Sequence, residues 1–190
     1  MVISGTECTL YSNISASAAT IVASGLIPIV QERITMMVNN YFLTDLNLTD
    51  SMTFNTSART IIAAGNSFVD RNFAAGDDIF IYNSYRNGGY FTLETVSDKT
   101  LTLIPGQIVT DELSSRSILI SVVKWPTPIK YIAAKMVAYD YDLRDSTPVN
   151  LKSYSLGPAS KTFTDGEKDE FGYPKKLTEG LSDYRIARCF

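Results

Sequence analysis

The chain contains no histidine. That removes the Ser-His-Asp and Cys-His constellations and the usual proton carrier near neutral pH. Cysteine is almost as scarce, with Cys8 and Cys189 alone near opposite ends of 190 residues. Two thiols cannot make a disulfide framework, and without Cys pairs or histidine there is no zinc ligand set. They read as unrelated thiols, with a bond joining the termini as the alternative. Long apolar runs are missing too. The longest, Ile21 to Val30, is broken by Ser24, Gly25 and Pro28 and falls short of the roughly 20 residues of a bilayer span. Met1 to Glu7 lacks the basic segment of a signal peptide, so a soluble chain of intracellular origin is expected. Charge of one sign is also lacking. A net charge of −3, with 19% charged residues, argues against a protein that grips phosphates by bulk electrostatics, while leaving room for DNA to pass nearby. No catalytic residue, metal ligand or cofactor is expected, and no enzyme activity.

What the chain does have is a 45% apolar content, enough for a real core. It also has one stretch that organises the rest, Pro126 to Phe163. Thr127 and Pro128 form a helix start signal. From there Ile129, Ile132, Ala133, Met136, Val137 and Leu143 recur at roughly helical spacing. The helix must stop before Pro148. Leu151 to Phe163, polar and broken by Gly157-Pro158, reads as an exposed, extended arm. A matching helical region spans 15–41. Gly25 is expected to end or interrupt a first short helix, and Pro28 to start a longer one striped by Val30, Ile34, Met37, Val38 and Tyr41. The adjacent Met36 and Met37 read as core filler at helical spacing.

Residues 43–51 read as a polar connector. Its Asp45, Asn47 and Asp50 lack the glycine and terminal glutamate of a calcium loop. The period then changes to two. Met52–Phe54, Thr60–Ala63, Asp78–Tyr82, Tyr90–Val96, Thr100–Ile104 and Ser117–Val123 are β-branched or aromatic runs separated by short turns. Asn87-Gly88-Gly89 reads as a hairpin turn tolerant of positive φ, and Ser97-Asp98-Lys99 as a second tight turn. Short strands at this spacing predict a small antiparallel barrel or sandwich. Phe80, Tyr82, Tyr85, Arg86, Tyr90 and Phe91 could stack on bases, although several are expected inside the barrel and Asp77, Asp78 and Glu94 lie close by.

Neither long helix can be stable alone with one apolar face. The economical arrangement packs 28–41 on 128–143 with the β module inserted between them. Thr164 to Glu170 reads as a solvated charged loop, and Gly172 to Leu181 as a short helix entered at Pro174 and ended at Gly180. The expected fold is therefore α+β: a small α-helical bundle (helices about 15–41, 128–143 and 174–180), an inserted antiparallel β-barrel or sandwich, and an extended C-terminal arm. The expected domains are 1–50 with 125–190, and 51–124.

Several separated pieces resemble the head–tail connector (head-completion, adaptor) proteins of tailed bacteriophages. They are Ser15 to Phe42, with its Asn39-Asn40-Tyr41-Phe42 end; the later helix with Tyr139 to Arg144; the arm from Lys152 to Phe163; and the closing Leu181-Ser-Asp-Tyr-Arg185. The segments Phe73 to Ile81, Asn87 to Val96 and Thr100 to Leu103 resemble a small β module of phage structural proteins. Many connectors lack so large an insert. The resemblance implies a virion structural protein of the neck, made in the host cytoplasm, with no enzymatic activity, no cofactor and no membrane contact. It implies a homo-oligomeric, dodecameric ring below the portal protein that extends the DNA channel. Genomic DNA passes through without sequence-specific binding, and the tail or next neck-ring protein attaches below. Subunit and portal contacts would then fall to Arg144, Tyr154, Leu156, Lys161, Phe163, Tyr184 and Arg185. The alternatives are another tail or neck structural protein, such as a tail-completion subunit, or a module that binds through the β insert.

Overall fold

In the computed structural model the described residues are 1–145, 153–156, 159–162 and 167–187. For 21, 23, 24, 114–116, 144, 145 and the strands between 153 and 162, the backbone alone is described. Helices and an antiparallel sheet make a mixed α+β chain. It divides into two compact units, Met1 with Tyr41–Trp125, and Val2–Asn40 with Pro126–Phe190. The first crossing thus lies at 40/41, earlier than the expected boundary near residue 50. The reason is that 43–50 is not a connector. It is the first part of β1 (Leu43–Asn55), a 13-residue strand.

The sheet unit continues with β2 (Thr60–Ala63), β3 (Asp78–Tyr82), β4 (Gly89–Val96), β5 (Thr100–Leu103) and β6 (Glu112–Val123). All neighbours pair antiparallel in the order β1-β2-β5-β4-β3-β6, and β6 returns to β1, so the ladder closes into a barrel in which none of the six strands is an edge strand. Side chains alternate across each strand. Ile79 and Ile81 therefore point inward with Leu93, Leu101, Leu103, Ile118 and Ile120, while Phe54, Phe68 and Phe73 complete the core. Phe80 and Tyr82 consequently face outward, whereas Phe91 packs against the core, so the expectation that several of the β-module aromatics fill the interior holds for Phe91 and not for these two. Their rings lie 4.6 Å apart and meet Tyr41 and Tyr90 on the outer wall at centroid distances of 4.7–5.4 Å. Burial, together with Tyr41 beside it, pushes the Tyr82 hydroxyl up to about 12.

The chain enters and leaves the barrel at adjacent points. Leu43 pairs with Val123, the Lys124 amide donates to the Phe42 carbonyl at 3.0 Å, and the Phe42 and Trp125 rings lie 4.6 Å apart. In the β3–β4 connection the positive φ angles fall on Asn83 (69°) and Gly89 (144°), not on Asn87 and Gly88. Asn87 is buried instead.

The helical unit begins with a helix the sequence reading did not anticipate, α1 (Gly5–Tyr11), closed by a capping box in which Ser4 and Glu7 satisfy each other's amides. A 3-10 turn (Ala16–Ala18), the single turn α2 (Ala19–Ile21), a π-helical segment (Val22–Leu26) and α3 (Ile27–Val38) follow without a break. Gly25 lies within the π segment, which interrupts the α-helical run between α2 and α3, the second of the two outcomes expected for it. Pro28 has no amide hydrogen and its ring clashes with the carbonyl four residues back, so a wider turn before it relieves the mismatch. α4 (Thr127–Asp145) is the long helix the sequence indicated. Ile129, Ala133, Met136 and Val137 are buried in it, whereas Leu143 is exposed. α3 packs on α4, and α1 packs on α4 through a Lys130–Glu7 ion pair of 2.9 Å.

α5 (Lys175–Thr178) runs straight into a 3-10 turn, Glu179–Tyr184, so Gly180 does not stop it. Gly180 instead permits a close approach, since a Cβ there would sit 3.2 Å from the Ile132 Cδ1. The arm is not a single extended segment. Its described parts, β7 (Ser153–Leu156) and β8 (Ala159–Thr162), pair antiparallel with each other.

Because the barrel core is self-contained and its ends are adjacent, residues 41–125 expressed alone should fold. The expected result is a strand-rich circular dichroism spectrum with one cooperative thermal transition; a non-cooperative melt would contradict the autonomy of this unit.

Candidate interaction surfaces

No group of three or more Asp, Glu, Cys or His residues among the described residues is placed to hold a metal ion. No helix among them is long and apolar enough to cross a membrane. Cys8 is a buried free thiol, and Cys189 lies outside the described residues. Asp50, the centre of the calcium-like pattern, holds a loop: it accepts from the Gly65 and Asn66 amides at 2.8 and 2.7 Å. What the chain offers is surfaces, held by three polar anchors.

The first anchor fixes α3 to α4. Arg33 donates to Asp140 at 2.9 Å, and the Tyr173 hydroxyl donates to the same oxygen at 2.6 Å. The Arg33 guanidinium also lies over the Tyr173 ring, 5.3 Å from its centroid. Burial and the Asp140 carboxylate raise the pKa of the Tyr173 hydroxyl, so it stays a donor. Tyr173 is 1% exposed, although Gly172-Tyr173-Pro174 reads in sequence only as a turn.

The second anchor presents Tyr173. Asp169 accepts from the Phe171 and Tyr173 amides, each at 2.9 Å, and from the Thr178 hydroxyl at 3.0 Å. The part of the expected solvated loop that is described, from residue 167 onward, is thus a tied turn. Beyond α5 the chain returns to the end of α3. The Ile186 amide and the Arg185 Nε donate to the Val38 and Met37 carbonyls at 2.9 and 3.2 Å. Asn40 donates to the Tyr184 carbonyl at 3.2 Å. These bonds satisfy carbonyls that a helix end leaves without partners.

Tyr184 and Arg185 therefore hold the C-terminal segment on α3. Met37, Asp169, Glu170, Lys176, Glu179 and Arg185 are among the residues around an open cleft of about 780 Å³ floored by Leu181. Of the remaining sequence candidates, the backbone of Tyr154, Leu156 and Lys161 lies in the β7–β8 ribbon. Arg144 ends α4 with its side chain outside the description, and Phe163 lies outside the described residues.

The third anchor is on the barrel. Glu112 accepts from Ser84 Oγ (2.7 Å), the Tyr85 amide (3.1 Å), the Arg86 amide (3.2 Å) and Asn87 Nδ2 (2.9 Å). Asn87 also donates to the Thr110 carbonyl and accepts from its amide. The loop is held tightly, yet Tyr85 is 68% and Leu113 87% exposed beside a cleft of about 380 Å³. Rigid exposed apolar groups are cheap to dock, since little side-chain and loop freedom is left to lose. Sequence reading named Tyr85 and Arg86 but not Glu112. Its partners lie 25–28 residues earlier, and no local pattern signals that.

Partial burial works against the Glu112 carboxylate, but the hydrogen bonds from Ser84, Tyr85, Arg86 and Asn87 outweigh it and hold its pKa below the usual 4.5. Its contribution is therefore fully present above that pH and lost as pH falls through the lowered folded value. Glu112→Gln should lower stability by about 1–3 kcal/mol at neutral pH, and the gap in melting temperature from the parent should narrow as pH drops below 4.5. In the helical unit, Tyr173→Phe should cost about 1 kcal/mol and Asp140→Ala about 2 kcal/mol, because the latter strips Arg33 of its carboxylate. Urea unfolding followed at 222 nm reads both. Set against known proteins, the sequence matches no family model and no curated protein.

Proposed function

We propose that this chain is a structural subunit of a tailed-bacteriophage virion: a head–tail connector in which a small helical bundle carries an inserted barrel. It assembles as a ring below the portal protein, lengthens the DNA channel and offers the tail, or the next neck ring, its attachment surface. The observation that carries this reading is the β7–β8 ribbon. Among the described residues it is a sheet of two strands only, and an isolated two-stranded ribbon is marginally stable in water. It follows the end of the 19-residue α4 and precedes the tied turn at Asp169, so both of its ends lead to anchored structure. A two-stranded ribbon that needs cover suits a chain built to bind its neighbours. The order of the resembling segments and the net charge of −3, which suits a channel that must not grip DNA, point the same way.

The experiment is imaging. Purified full-length protein at high concentration, alone or with portal, should show closed rings in negative-stain micrographs, and in the particle it should lie on the portal axis. Deleting residues 151–163 should abolish rings while leaving the helical spectrum and melting temperature of the chain within a few degrees. Rings that persist after the deletion would sink the role given to the ribbon.

A further inference from the structure

Part of β1 has one neighbouring strand. β2 reaches only Met52–Asn55, and from Leu43 to Ser51 the strand is paired with β6 alone. One bond tells which backbone groups turn to the other side. The Ser51 carbonyl accepts from the Ala64 amide at 3.0 Å, away from β6. Alternate residues of an antiparallel strand turn their amide and carbonyl the same way, and the register from Asn47 to Ser51 is regular. Asn47 and Thr49 therefore also face the open side. Both are exposed, and Leu43 and Leu46 are 40% and 39% exposed. An exposed row of this kind is a template for another strand.

Side chains of the same unit interrupt that row at both ends. At its start Thr44, Asp45 and Leu46 stand between the pairs Leu43↔Val123 and Asn47↔Ser121, where β6 has only Val122. The two extra residues make a bulge, which bends a strand and breaks its ladder. The Thr44 hydroxyl donates to the Val122 carbonyl at 2.9 Å and accepts from the Leu46 amide at 3.2 Å, while Asn47 Nδ2 donates to the Asp45 carbonyl at 3.2 Å. At the far end Asp50 accepts from the Ser51, Gly65 and Asn66 amides at 2.7, 2.8 and 2.7 Å. That holds Asn66 against the strand, where its Nδ2 donates to the Thr49 carbonyl at 3.3 Å. Between Asn47 and Ser51, only the amide and carbonyl of Asn47 and the amide of Thr49 are left open on this side among the described residues.

We infer that the bulge at 44–46 and the Asp50–Asn66 clamp form an edge guard, which stops β1 of one copy from pairing with β1 of a second copy. Unguarded, two copies would meet antiparallel about Asn47, each Asn47 opposite the other, with no like charges directly opposed to keep them apart. The side-chain bonds take the place of that repulsion. They occupy the groups on either side of Asn47, and the few left open do not sustain a ladder.

The test removes the guard in the full-length chain. Deleting Asp45 and Leu46 makes the pairing of 43–47 with 121–123 one residue for one. Because two residues go, Leu48 keeps its inward face. Asn66→Ala opens the Thr49 carbonyl and leaves the Asn66 amide on Asp50. The combined variant should keep the parent's circular dichroism spectrum. Run beside the parent at equal concentrations, it should show a larger species in size-exclusion chromatography with light scattering that the parent lacks. Its Asn47 and Thr49 amides should exchange hydrogen about tenfold slower than in the parent. Adding Asn47→Pro, which removes an amide on the open side only, should return the variant to the parent's size. Unchanged size with fast Asn47 exchange overturns the inference, and so does a larger species that survives Asn47→Pro. Should the deletion unfold the barrel, Thr44→Val with Asn66→Ala frees the Leu46 amide and the Thr49 carbonyl in a strand of full length. A larger species with slowed Thr49 exchange is then expected, and parent-like behaviour rejects the guard.

Discussion

The rest of the structure depends on the antiparallel pairing of β1 with β6. These two strands are the first and last of the sheet unit, and their ladder runs from Leu43↔Val123 to Phe54↔Glu112. It does two things. It closes the sheet, so none of the six strands is an edge strand, although the part of β1 before Met52 pairs with β6 alone. It also brings the points where the chain enters and leaves the barrel side by side, at Phe42 and Lys124. A domain can be inserted into another only if its ends meet where the host chain is interrupted. Within the helical unit, α3 ends at Val38 and α4 starts at Thr127, and the two pack together. The chain can leave one helix, complete a barrel and begin the next without stretching either unit.

The helical unit solves a different problem. Its helices come from distant parts of the sequence, and apolar stripes alone do not fix their register. Polar groups do. Arg33, Asp140 and Tyr173 bring together α3, α4 and the turn before α5, and each group satisfies the others, so none is left half-buried without a partner. The C-terminal segment then covers the exposed carbonyls at the end of α3 through Arg185 and Ile186. The same bonds shape the cleft around Leu181. A well-packed core and an open, mixed surface thus arise from one set of contacts.

Much of this was legible in the sequence, and the parts that were not have physical reasons. α4 was readable because Thr127-Pro128 and the spacing from Ile129 to Val137 are local signals, and β2 to β6 were readable from β-branched alternation. The first half of β1 was not, because a register shift between Leu43 and Asn47 breaks the period-two pattern, and its outer residues are polar or half-exposed. α1 left a readable trace, since Ser4 and Glu7 have capping-box spacing. Seven residues cannot sustain a helix alone, and packing on α4 completes it. The outward aromatics were misplaced because composition tells which residues are present but not which parity of the strand faces in. Ile79 and Ile81 decide that. Tyr173 and Glu112 were invisible because their roles come from partners far along the chain.

The ribbon is where sequence and structure add most to one another. The sequence supplied an arm and a set of contact residues without any geometry. Pairing supplies the geometry: with Tyr154 opposite Lys161, a run that looks uniformly polar becomes two different faces. A shift of one residue would mix hydroxyl and apolar positions on both sides, so the segregation depends on the register itself. A free tail would gain nothing from such sorting, because water meets all its sides equally. Sorting has a consequence only when one face is removed from water. Two strands cannot bury a face between themselves, so such cover would have to come from outside the ribbon.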